Sequence, residues 1–179
     1  MKSKKIFKAT FLVMVITIAS RFLGLIRDSL VAYYFGAGAI TDAYKAAVMV
    51  PETLFTIIGL GVSTVFIPML SKIRYRDSKE KMFEFANNVI GLLIIMSLCI
   101  FVLGNIFTES IVNIIAPGFS KENMELAISL TRISLINLLF MSVNVCFLSM
   151  LQVCEDFVIP SILGMFFNAP IILLSLIHI

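Results

Sequence analysis

The sequence predicts an all-α membrane protein, a polytopic bundle of transmembrane helices, on two observations. Hydrophobic residues make up 60% of the 179 and charged residues only 14%, too little polar surface to cover a water-soluble globule of this size. The excess is gathered into long blocks of the roughly 20 apolar residues that a helical span needs. Barrel strands would instead alternate polar and apolar about every second residue.

Five such blocks, at 7–35, 41–70, 85–107, 126–153 and 157–173, give about five spans. The first begins behind Lys2, Lys4, Lys5 and Lys8. It reads as a retained helix and not as a signal peptide, because Arg21 interrupts it and no small-residue cleavage site closes a short apolar region. Pro51 lies ten residues into the second block, with Gly59 and Gly61 beyond it. A bent or interrupted second helix is expected, either as a transporter's cavity-lining break or as a packing kink.

Cytoplasmic loops carry the excess of Lys and Arg. The N-terminus is basic, and the loop after the second block holds Lys72, Arg74, Arg76, Lys79 and Lys81. The turn around Gly36 to Gly38 is uncharged, and the loop after the third block has one Lys, Lys121, against Glu109 and Glu122. The N-terminus is therefore expected in the cytoplasm. The net charge of +3 suits loops facing an anionic leaflet and gives no reason to invoke nucleic acid.

The first two blocks hold Arg21, Arg27, Asp28, Asp42, Lys45 and Glu52 among apolar neighbours. Ionisable groups at membrane depth are costly and usually face a bundle interior or a watery cavity. Arg21 and Asp28, seven residues apart with Gly24 between them, fall on one helical face, with Arg27 well round from it. Asp42 and Lys45, three apart, can touch. Arg27, Asp28 and Asp42 have two readings, cavity groups or outer-interface groups that snorkel to water. Arg21 is roughly 20 Å from either end of its block at 1.5 Å per residue, and its planar fork suits a phosphate or pyrophosphate.

The remaining polar residues carry less. Asn87, Asn88, Asn105, Asn137, Asn144 and Gln152 read as interhelical hydrogen-bonding groups. Cys99, Cys146 and Cys154 have no metal-ligand spacing. His178 is the sole histidine, and neither a catalytic set nor a glycine-rich phosphate loop is visible. No enzyme activity, metal, cofactor or ATP use is expected.

Several motifs then align in order. Ser20-Arg21-Phe22-Leu23-Gly24-Leu25-Ile26-Arg27-Asp28 is followed by Ala32, Phe35-Gly36-Ala37-Gly38, Thr41-Asp42-Ala43-Tyr44, Pro51 and Phe66-Ile67-Pro68. The set resembles the N-terminal signature of the MurJ (MviN) family of lipid II flippases, in the multidrug/oligosaccharidyl-lipid/polysaccharide exporter superfamily. Ala116-Pro117-Gly118-Phe119 and the stretch 157–168, with Pro160 and Asn168, resemble the family too. The resemblance implies two pseudo-symmetric helical lobes about a cavity, of which this chain would be part of the N-terminal one, in a bacterial cytoplasmic membrane. It implies alternating access, with arginines holding the pyrophosphate and sugar head group of lipid II while the lipid tail stays among membrane lipids. By motif position it assigns substrate binding to Arg21, Arg27 and Asp42, with Ser20, Asp28, Lys45 and Glu52 in support.

The sequence departs from the family pattern after Pro51. Many relatives carry an arginine pair and then Glu-Gly there, whereas this chain reads Glu52-Thr53-Leu54-Phe55-Thr56-Ile57-Ile58-Gly59-Leu60-Gly61. Arg21, Arg27 and Lys45 are then balanced by Asp28, Asp42 and Glu52. Other cargo therefore stays open: a different polyprenyl-linked saccharide, a drug carried by a MATE-like antiporter, or no cargo if the chain is a membrane fragment. The family resemblance implies about fourteen spans, so a fragment is expected. Residues 174–179 match the translation of a transposase adapter used in DNA library preparation, and this tail, His178 included, is expected to carry no function.

These asymmetries predict that the loop 71–81 is cytoplasmic and the segment 108–125 is outside. Single-cysteine labelling in a cysteine-free background checks it. An impermeant reagent that reaches position 76 from outside intact cells reverses the orientation.

Overall fold

The computed structural model describes residues 2–36 and 38–177. Ala37 of the turn motif and His178 and Ile179 of the expected tail lie outside the described residues. The described chain forms seven helices and no strand: α1 (Lys2–Phe35), α2 (Ala39–Arg76), α3 (Lys79–Ile106), α4 (Thr108–Ile115), α5 (Lys121–Ser134), α6 (Asn137–Val153) and α7 (Val158–Ile177). The all-α reading holds. Among them, α1, α2 and α3 are each long and apolar enough to cross a bilayer. The bent α5–α6 pair counts as a fourth if taken as one span, and α7 offers a shorter apolar stretch, Val158–Leu174.

The helices form two compact units, one of α1 with α7 and one of α2 to α6. In the first unit, α1 is 34 residues long, about 50 Å at 1.5 Å per residue and more than the roughly 30 Å of a hydrocarbon core. Its half-buried positions, among them Val13, Ile16, Ser20, Gly24, Arg27 and Val31, recur at helical spacing, and α7 is the helix packed along it. Gly36 ends α1 with φ of +72°, the left-handed conformation that glycine adopts without a Cβ clash.

In the second unit, small residues take many of the buried positions, Ala43, Ala47, Ala86, Ala127, Ser97, Ser142 and Ser149, beside larger ones such as Phe66, Leu70, Met82, Leu135 and Leu138. Many other large apolar side chains point outward, with Leu60 63% and Phe140 68% exposed. A water-soluble protein would not leave so much apolar surface uncovered. In a membrane, lipid solvates the large side chains, and small residues let backbones approach. Buried hydroxyls are spent locally: Ser97 Oγ donates to Ser142 Oγ at 2.6 Å, and Ser142 Oγ donates to the Leu138 carbonyl at 2.7 Å. Beside α4, Ala43, Val112 and Ala127 form a small cluster covered by Phe119 and Met124.

The structure refines two readings. The block at 126–153 is divided between α5 and α6, which meet at a 40° bend. Leu135 at the bend is fully buried beside Gly104 of α3, where an added Cβ would come within 3.1 Å of the leucine side chain. The backbone tightens there into i to i−3 hydrogen bonds, from Ile136 N–H to the Ile133 carbonyl and from Leu138 N–H to the Leu135 carbonyl.

Of the bent or interrupted second helix that Pro51 suggests, the interruption does not occur: α2 runs on through Pro51 and Pro68. Proline at 51 has no N–H to give the carbonyl four residues back, that of Ala47. Ser134 of α5 supplies the missing donor, its Oγ 2.7 Å from the Ala47 oxygen and 3.1 Å from its own helix's Thr131 oxygen. A neighbouring helix thus satisfies the carbonyl that proline frees, and the span continues. At the far end of α2, the Arg74 guanidinium donates to the Val153 carbonyl, at the last residue of α6, where cations suit the negative end of the helix dipole.

Ser134→Ala is therefore expected to lower stability in detergent by about 1 kcal/mol. In a Pro51→Ala background, where the backbone again donates to Ala47, the cost should fall by at least half. Thermal unfolding of the four proteins checks this, and equal costs in both backgrounds would show that the hydroxyl does not compensate for the proline.

Candidate functional site

The sequence-predicted site residues divide between the two units. Ser20, Arg21, Arg27 and Asp28 belong to α1, and Asp42, Lys45 and Glu52 to α2.

On α1, the face that meets α7 is Ser20, Gly24 and Arg27, spaced four and three residues apart. Opposite them on α7 stand Gly164 and Asn168. A Cβ at Gly164 would sit 2.5 Å from Ser20 Oγ, so the glycine permits the close approach of the two helices. The Asn168 side chain fills the adjoining space. Its Nδ2 donates to the Ser20 carbonyl and to the Gly164 carbonyl, each at 3.1 Å. Its Oδ1 accepts from Arg27 Nη1 at 3.0 Å.

Arg27 also engages its sequence neighbour. Nε and Nη2 reach the same oxygen, Asp28 Oδ1, at 3.0 and 2.9 Å. Each of the three guanidinium nitrogens thus makes one contact, which leaves one N–H on Nη1 and one on Nη2 of the five. The side chain of Arg27 is 34% exposed and that of Asp28 is 68% exposed. The pair is reachable by a ligand.

As their spacing predicts, Arg21 and Asp28 share one flank of α1, to the side of the Ser20–Gly24–Arg27 face, and both are exposed. They do not pair: Asp28 takes Arg27 as its partner, and Arg21 has no hydrogen bond or ion pair among the described residues. Its guanidinium donors are left for another group.

On α2, Asp42 lies in the first turn, where the helix dipole favours a carboxylate. Asp42 and Lys45 form no ion pair among the described residues, although their spacing would permit one. Both instead line an open cleft of about 680 Å³, closed on its other sides by Ile115, Phe119, Ser120 and Asn123. The motif Ala116-Pro117-Gly118-Phe119 supplies the wall of that cleft, and Phe119 also packs on the cluster around Ala43. Glu52 is exposed and outside this cleft.

Sequence reasoning placed Asn168 in a family-like stretch but gave it no role. Its spacing of four from Gly164 marks a shared helix face, but only the packing of α7 on α1 reveals which backbone groups it reaches.

The family model described as lipid II flippase MurJ matches residues 31–179. The chain is 34% identical over 170 residues to a probable lipid II flippase MurJ of Aquifex aeolicus, covering 94% of this chain and 34% of that protein. It is 36% identical over 171 residues to the corresponding protein of Buchnera aphidicola subsp. Baizongia pistaciae, covering 94% and 33%. Against the lipid II flippase MurJ of Thermosipho africanus it is 32% identical over 166 residues, covering 92% and 34%. The chain thus spans about a third of the length of these relatives. With apolar helices of spanning length and a family match over most of its residues, this multi-pass membrane chain belongs to the lipid II flippase MurJ family.

Proposed function

We propose that the protein to which this chain contributes carries lipid II across the bacterial cytoplasmic membrane by alternating access, with its N-terminus in the cytoplasm. The observation that carries this reading is the α1 guanidinium pair. Arg21 is unpaired among the described residues, and Arg27 is held by Asp28 and Asn168 with two N–H groups unspent. Planar guanidinium donors match pyrophosphate oxygens two at a time, and a pyrophosphate is what a polyprenyl-linked saccharide presents. The relatives named as lipid II flippases supply the particular cargo.

In this reading Arg21 meets the head group with its whole fork, and Arg27 meets it while sharing its charge with Asp28. Asp42, in the cleft at the start of α2, contributes a carboxylate that lipid II's polar groups engage, with Lys45 beside it. The bilayer holds the lipid tail against the outward-facing Phe, Leu and Ile side chains. Membrane lipids are the remaining partners, and neither nucleic acid nor ATP has a part.

Complementation in cells depleted of their own flippase tests the reading, with membrane abundance measured alongside. Arg21→Lys keeps the charge and loses the fork, so growth support should fall at least tenfold at normal abundance. Arg27→Ala should fail likewise, and Arg27→Ala with Asp28→Ala should not recover, although no unpaired carboxylate then remains. Full growth of that double variant at wild-type abundance would show that the pair is structural only.

A further inference from the structure

We infer that Asn168 of α7 is a positioning residue for Arg27, fixing the direction in which its free N–H groups meet an anionic head group; this rests on the reading of Arg27 as a head-group ligand. Three hydrogen bonds determine the amide's orientation. Nδ2 faces two carbonyl oxygens, those of Ser20 and Gly164, and Oδ1 faces the Arg27 guanidinium. The reverse orientation would set an oxygen against two carbonyl oxygens and an amino group against a cation, so only one is compatible with its neighbours.

The amide is thus tied to the main chain of both helices. One Nδ2 contact is to α1 and the other to α7, and neither partner is a side chain free to change rotamer. Arginine has a long, flexible stem, and a lone contact to its neighbour Asp28 would leave the guanidinium able to swing with that exposed carboxylate. The Asn168 contact at 3.0 Å gives it a second fixed point. Pre-set donors bind a charged ligand better than mobile ones because less freedom is lost on binding. Gly164 completes the device, since its missing Cβ allows α7 to lie close enough on Ser20 for the amide to span the gap.

A double-mutant cycle on the protein expressed from its complete gene and purified in detergent tests this, with lipid II as the titrated probe. Arg27→Ala should weaken binding by tenfold or more. Asn168→Ala should weaken it about tenfold, the size of one charge-assisted hydrogen bond, and should add nothing in the Arg27→Ala background. Equal fold losses in the two backgrounds, or wild-type affinity of Asn168→Ala, would overturn the inference while leaving Arg27 as a ligand. Wild-type affinity of Arg27→Ala would remove the underlying reading as well. Asn168→Asp keeps the size if the alanine variant does not accumulate. Because it also sets an oxygen against the Ser20 and Gly164 carbonyls, its binding is compared with that of wild type at a temperature where both are fully folded. It should bind at least tenfold more weakly because a second carboxylate then occupies Arg27, and Asp28→Ala should recover part of that loss. Unchanged binding by Asn168→Asp also overturns the inference.

Discussion

A bilayer offers backbone groups no water, so each carbonyl or amide freed from a helical ladder needs a donor or acceptor from the protein itself. This constraint governs the second unit. The Ala47 carbonyl, left without its own-helix donor by Pro51, takes one from Ser134. At the end of α6, beside the segment expected in the cytoplasm, the carbonyl of Val153 takes one from Arg74 as well. Ser97, Ser142 and Ser149 are fully enclosed, yet each donates to an oxygen beside it. Among the described residues, no buried side-chain polar atom is left without a partner.

The same constraint shapes the candidate site. Helices can share hydrogen bonds only where small residues let their backbones come near, as Gly164 does beside Ser20 and Gly104 does beside Leu135. Asn168 occupies such a place, and the polar group it holds is the Arg27 cation. Packing and charge placement are therefore one arrangement: removing a side chain at 164 is what positions a guanidinium at 27.

How much of this was legible in the sequence differs by feature. The fold class followed from composition, because a surplus of apolar residues in long blocks has few other solutions. The bend at Leu135 and Ile136 was not legible, since neither glycine nor proline marks it and Gly104, on which Leu135 packs, is distant in the chain. Pro51 suggested a bent or interrupted helix because the hydroxyl that compensates for it lies in another element, 87 residues away. Arg21, Arg27 and Asp28 stood out as charges in an apolar span, and their spacing put Arg21 and Asp28 on one face with Arg27 off it. Spacing alone did not show that the arginine stem at 27 is long enough to fold over to its immediate neighbour. Asn168 was visible only as one polar residue in a family-like stretch.

The hydroxyl at 134 and the proline at 51 also bear on how such a sequence can be assembled by successive substitutions. A serine arriving first finds its own helix's Thr131 carbonyl as an acceptor and disturbs little. A proline arriving first leaves the Ala47 oxygen unpaired in hydrocarbon, a cost in the range of a whole interhelical hydrogen bond. Of the two histories by which a lineage could acquire this pair, one passes through an intact intermediate and the other through a damaged one, so the ancestral state at 134 constrains what can be fixed at 51.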